Sequence, residues 1–177
     1  ATAGTNTTQV ATTEFVKAAA DTKLPLAGGT LTGLLTGTDV TLSGGVYLGG
    51  TGAANKLDDY ESGTFTPATT CMTIGDITSA RYTKVGNLVT IQVYLESISA
   101  GNGNAASFTG LPFAALVGGW STGALSHSSS NTVVTNPYVR VQAGAAVAEL
   151  KKDGDTIMVG TEMDGSFLVW TVSYFTL

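Results

Sequence analysis

Between residues 24 and 56 the chain reads LPLAGGTLTGLLTGTDVTLSGGVYLGGTGAANK, with glycine at 28, 29, 33, 37, 44, 45, 49, 50 and 52. No other stretch restricts the fold so strongly. The glycines leave only short alternating runs, Val40 with Leu42 and then Val46 with Leu48. Each run suits a strand of about four residues. A single copy of so thin a segment cannot bury these side chains against itself. It therefore has nothing to offset roughly 1–2 kcal/mol of backbone entropy per ordered residue. Interwound with two further copies, the same side chains would face a shared axis, and the glycines would permit tight turns and close backbone approach. The expectation is a threaded trimeric β stem over residues 24–56. A flexible Gly/Thr linker is the alternative; the regular Leu and Val content favours the stem.

Residues 1–23 read as a leader and one short helix. Thr7 or Thr8 is the expected N-cap, and Val10, Ala11, Phe15, Ala18 and Ala19 fall on one helical stripe. Leu24-Pro25 stops it. A helix this short is marginal alone in water, and a three-fold bundle would supply its partners. The expected trimer-interface side chains are Phe15, Leu31, Leu35, Val40, Leu42, Val46 and Leu48.

Residues 57–177 have the pattern of a compact β domain. Ala80–Val85 and Leu88–Leu95 flank Gly86-Asn87, a two-residue hairpin loop of the primed-turn kind. Val89, Ile91, Val93 and Leu95 make one face of the second strand wholly apolar. A second hairpin is expected from Ala146–Leu150 and Thr156–Thr161 around Lys152-Asp153-Gly154-Asp155. The run Phe167–Thr176 is apolar on both faces, which places it centrally or between a core and a subunit interface. Short strands separated by turn signals, without a long helix, give an all-β class: an antiparallel, jelly-roll-like β-sandwich head.

Composition removes several function classes. Only 12% of residues are charged and the net charge is −5, with eight Lys and Arg scattered along the chain, so a nucleic-acid partner is not expected. No apolar run approaches the roughly 20 residues that would cross a bilayer, and ATAGTNTTQV at the start lacks the charge and apolar core of a secretory signal. The absence of an initial Met is read as the mark of a longer protein. Cys71 is the single cysteine and, among apolar neighbours, reads as a small hydrophobe.

Val10-Ala11-Thr12-Thr13-Glu14-Phe15-Val16 resembles the Ala-Thr-Thr-x-Phe-Val segment that recurs in phage tail-fibre proteins. It is followed, as there, by Leu24-Pro25-Leu26-Ala27-Gly28-Gly29-Thr30-Leu31-Thr32-Gly33. Gly45-Val46-Tyr47-Leu48-Gly49-Gly50 and Asn55-Lys56-Leu57-Asp58-Asp59-Tyr60-Glu61-Ser62-Gly63-Thr64-Phe65-Thr66-Pro67 are similar to the stem-to-head junction of tail-fibre and tailspike chains. The usual junction has an acidic residue where Ser62 stands and Trp where Phe65 stands. The resemblance covers about the first 70 residues and the Arg81–Val89 hairpin, and fades beyond Glu96. It implies a homotrimer in the tail of a virion, joined to other phage tail proteins at its N-terminal side, with the head towards the host cell.

The remaining question is what the head does. Asp58, Asp59 and Glu61 form the one tight acidic cluster. It reads as an acidic turn pairing with Lys56 and Arg81 rather than as the carboxylate pair of a glycosidase. His127 is the only histidine, with no carboxylate between Glu96 and Glu149 to orient it. No catalytic residue, metal ligand or cofactor is assigned, and no enzymatic activity is expected. From Ser97 to Val139 the chain carries no Asp, Glu, Lys or Arg, but it does carry Asn102, Asn104, Trp120, His127, Asn131 and Tyr138. Neutral hydrogen-bonding groups beside an aromatic suit sugar hydroxyls. These six are the candidate contacts to a host cell-surface receptor, a glycan in preference to a protein. A purely structural fibre component and a polysaccharide-degrading tailspike are the alternatives.

Overall fold

The computed structural model describes residues 13–21, 32–128, 134–165 and 167–177; for Phe15, Ala18, Ala19, Asp21, His127 and Ser128 it describes the backbone alone. The chain divides into two units, residues 1–42 and 43–177. In the first, helix α1 spans Thr13–Asp21, with Glu14 in its first turn where a carboxylate favours the helix dipole. Thr7, Thr8 and Leu31 lie outside the described residues. Residues 32–42 form neither helix nor strand, and all are exposed. Leu34 is 90% exposed, Leu35 59%, Val40 60% and Leu42 56%. The strand expected around Val40 and Leu42 is absent from the single chain, where the run pairs with no described segment, whereas the shorter run at Val46 and Tyr47 pairs with Lys56 and Leu57.

The second unit is built almost entirely of antiparallel strands. β1 (Val46–Tyr47) pairs with β2 (Lys56–Leu57) in a two-stranded ribbon. The remaining strands are β3 (Tyr60–Thr64), β4 (Asp76–Val85), β5 (Leu88–Glu96), β6 (Ser107–Thr109), β7 (Ser121–Ser128), β8 (Tyr138–Val141), β9 (Val147–Lys152), β10 (Thr156–Ile157) and β11 (Phe167–Phe175). They form one sheet in the order β10-β9-β8-β7-β11-β5-β4-β3, with β6 also paired to β9.

Alternation in the longest strands decides which face is the core. Val89, Ile91, Val93 and Leu95 in β5 are fully buried, as are Leu168, Trp170 and Tyr174 in β11, with Val172 close behind. Val139 and Val141 of β8 and Ala148 and Leu150 of β9 join the same cluster. β11 does sit centrally, between β7 and β5, while Phe167 and Phe175 on its other face are exposed.

The sheet is bent over this core. Phe108 in β6 and Trp170 in β11 are four strand steps apart, roughly 19 Å in a flat sheet, yet their ring centroids are 6.1 Å apart. The segment after β3 straps the two edges together. Phe65 N donates to Ala80 O at the β4 edge, whereas Ala68 and Thr109 exchange backbone hydrogen bonds of 3.0 and 2.8 Å next to β6. Further on, Asn102 N donates to Cys71 O at 2.9 Å. Cys71 is buried in this strap.

Turn chemistry follows the sequence where glycine supplies it. Gly86 has φ +56 and Asn87 is not in the left-handed region, the φ pattern of a type II′ turn, and Val85 pairs with Leu88 across it. The second expected hairpin also forms, with Thr156 opposite Lys152, but its return strand ends at Ile157 and gives way to a 3-10 turn at Gly160–Glu162. β7 departs furthest from expectation. Its sequence STGALSHS has no strand alternation, and pairing with β11 and β8 imposes the conformation. Gly123 is required there, because a Cβ would lie 2.0 Å from Thr171 O.

Candidate functional site

Of the six candidate contacts, the structure links two through a shared polar network. β8 buries Val139 and Val141, so Tyr138 and Arg140 point to the opposite face. Register places Tyr138 beside Lys151 and Arg140 beside Glu149 on β9. Asp155, in the turn after β9 with φ +60, completes the group. Tyr138 Oη donates to Asp155 Oδ1 at 2.6 Å. Arg140 Nη1 reaches both Asp155 oxygens at 2.8 Å, and Nη2 reaches Glu149 Oε2 at 2.7 Å. Lys151 Nζ is buried beneath them and donates to Asp155 O at 3.1 Å.

Trp120 closes the group. The Arg140 guanidinium carbon stands 4.4 Å from the Trp120 ring centroid, while the indole is 53% exposed. The core tryptophan is Trp170, which is buried and whose Nε1 has no hydrogen-bond partner among the described residues. An adjoining turn is fixed to the same hairpin, since Asn136 Nδ2 donates to Asp153 Oδ1 at 2.6 Å and Thr135 Oγ1 also donates to this carboxylate.

The electrostatics favour the charged form of both carboxylates over a proton-donating one. The Tyr138 hydroxyl, ahead of the Arg140 guanidinium, holds the Asp155 carboxyl below the ordinary carboxylate range. Thr135 and then Asn136 do the same for Asp153. A general acid needs its pKa raised towards the working pH, and these two are moved the other way.

The other candidates are placed differently. Asn102 is exposed, but its side chain is engaged: Nδ2 donates to Thr70 O at 3.1 Å and Oδ1 accepts from Asn104 N at 2.9 Å. Asn104 O accepts from Gly160 N at 3.1 Å, so this loop is tied to segments 70–71 and 160–161. His127 lies in strand β7, its backbone opposite Leu168, and Asn131 lies outside the described residues. Sequence reasoning missed Arg140 and Asp155 because it sought uncharged groups. The signal was present in the two-residue spacing of Tyr138 and Arg140, which puts both on one strand face.

Two members of the acidic cluster form separate ion pairs. Asp58 meets Lys56 at 2.8 Å, and Asp59 pairs with Lys84 rather than with Arg81. Lys84 is inward-facing and buried, with its ammonium 5.4 Å from the Phe113 ring centroid. Among the described residues no three His, Cys, Asp or Glu side chains converge on a possible metal position, and no helix is long and apolar enough to cross a membrane. No protein-family model, curated protein or solved structure matches the chain.

Proposed function

We propose that this chain is the distal part of a phage tail fibre, a trimeric adhesin that attaches the virion to a glycan on the bacterial surface. One observation carries the reading. The head buries a core of its own, whereas Leu34, Leu35, Val40 and Leu42 in the preceding segment are all more than half exposed. Side chains of this kind repay ordering only when other chains cover them. Three interwound copies provide that cover and form the stem, joined at its N-terminal side to other tail proteins. On this reading the bent antiparallel sheet serves as the jelly-roll-like sandwich of the head.

Receptor contact centres on Trp120 and Tyr138. An exposed indole offers a stacking face for a sugar ring, and Arg140 and Asp155 hold the surrounding groups in place before the ligand arrives. With three heads on one stem, each contact can be weak while attachment is firm. Saturated, low-pKa carboxylates fit an adhesin better than a hydrolase.

An array of bacterial surface polysaccharides probed with the full chain tests the proposal. Retention on a subset of glycans is expected, and Trp120→Ala should reduce it at least about tenfold, as loss of an aromatic anchor does. Failure to retain any surface glycan, or retention indifferent to Trp120, would refute the adhesin reading.

A further inference from the structure

The outer face of the head sheet carries a depression of about 370 Å³ lined by Arg81, Tyr82, Thr83, Thr90, Gln92 and Thr171. Its floor follows from register. Arg81 lies opposite Gln92, which lies opposite Thr171; Thr83 lies opposite Thr90, which lies opposite Ser173. Directly opposed residues share a face, so six small or flexible polar side chains form two adjoining rows. Two residues further along the strands, at either end, the side chains become large. One end has the exposed row Tyr60, Val85, Leu88 and Phe175, and the other has Tyr94, whose ring packs edge-on against Phe167 at 6.3 Å. The volume falls at the lower end of the roughly 300–1,000 Å³ range of small-molecule sites.

Charge singles this depression out. The 43–177 unit contains six basic side chains, Lys56, Arg81, Lys84, Arg140, Lys151 and Lys152. Five of them are in ion pairs with Asp or Glu. Arg81 alone has no acidic partner among the described residues, and it is exposed on the depression's wall. In a chain of net charge −5, every other cation of the unit being paired, a free guanidinium here is a site left open for an anion.

We propose that this depression binds an acidic saccharide, with a sugar carboxylate held bidentate by Arg81 and the ring hydroxyls by Gln92, Thr83 and Thr171. The planar guanidinium fork matches a carboxylate. Gln92 supplies both donor and acceptor for vicinal hydroxyls, and the threonines add methyls for the ring C–H groups. Thr90 is already committed to Ser173, Oγ to Oγ at 2.7 Å, and stiffens the floor. A single cation matches one carboxylate charge. A phosphate, nearer two charges at neutral pH, would leave charge unbalanced, since no second basic residue lines the depression. The depression shares no lining residue with the Trp120 group, whose Tyr138 continues the same cross-strand row beyond Ala124 and Thr171, and it rests on the glycan-binding reading only for the class of its ligand.

The test is an NMR titration of the full chain with digalacturonic acid, neutral digalactose and galactose 6-phosphate. Digalacturonic acid should shift the Gln92 side-chain amide and the Arg81 Nε–H signals with weak, saturable binding. Digalactose, and digalacturonic acid added to Arg81→Gln, should bind at least about tenfold more weakly. Arg81→Lys should fall between, and Trp120→Ala should leave this binding unchanged. Amide signals elsewhere in Arg81→Gln should overlay those of the parent, since the side chain is exposed. Equal binding of the neutral sugar, binding that survives Arg81→Gln, or no shift at Gln92 would overturn the site. Tighter binding of galactose 6-phosphate would overturn the carboxylate assignment. Loss of uronate binding in Trp120→Ala alone would place the sugar at the other site and leave the adhesin reading standing.

Discussion

Residues 32–42 and strand β5 use the same vocabulary of Leu, Val and Thr, yet one exposes all its aliphatic side chains and the other buries every one on its inward face, with Leu88 alone facing out. The difference is the length of uninterrupted alternation. β5 runs nine residues without glycine and has β4 and β11 on either side, so each inward side chain meets a neighbour. Residues 32–42, interrupted by glycines at 33 and 37, have no strand on either side among the described residues. Hydrophobic content alone therefore does not make a core; contiguity does. Residues 43–177 bury a core within their own chain, and residues 32–42 bury no side chain within theirs.

The sharpest way to stress this contrast is Trp170→Ala. Removing the largest fully buried side chain should destabilise the head by about 3–5 kcal/mol, read as a lower denaturant midpoint. A cost under about 1 kcal/mol would mean that the head core is not self-sufficient. Tyr174 gives a second, pH-dependent handle. Burial pushes its phenol up to about 12, and the hydroxyl donates to Phe113 O at 3.0 Å. A raised folded pKa keeps its stabilisation intact below the ordinary value of 10.0 and loses it as pH rises through about 12. Unfolding titrations should show stability falling by about 1–2 kcal/mol over that window, and Tyr174→Phe should flatten this alkaline limb.

A smaller effect is expected at the start of β3. Asp59→Asn leaves the buried Lys84 ammonium without its carboxylate and should cost about 1 kcal/mol, moderated because Asp59 is half exposed. The smallest effect is the most informative about the comparison. Leu34, Leu35, Val40 and Leu42 changed together to Asn should move the head's midpoint by less than about 0.5 kcal/mol. A larger shift would show that these side chains support the head directly.

Legibility in the sequence followed the same line. β5, β11 and the β4–β5 hairpin could be read directly, because alternation and Gly86-Asn87 state their own geometry. β7 could not. Gly123, Ala124 and Ser126 carry no pattern, and β11 dictates the strand from its side. The site behaved likewise. Trp120 and Tyr138 were visible as exposed-type aromatics in an uncharged stretch, whereas Arg140 and Asp155, 15 residues apart, meet only through the β8–β9 register. Arg81 looked like a partner for the acidic turn, and the twofold periodicity of β4 explains why it is not. Lys84 faces inward towards Asp59, while Arg81 faces out.

The trimer remains the claim on which the rest depends, and mass measures it most directly. Sedimentation equilibrium of the full chain at micromolar concentration should return three times the chain mass of 17.9 kDa. A single species of 17.9 kDa would contradict the interwound stem and the multivalent attachment built upon it.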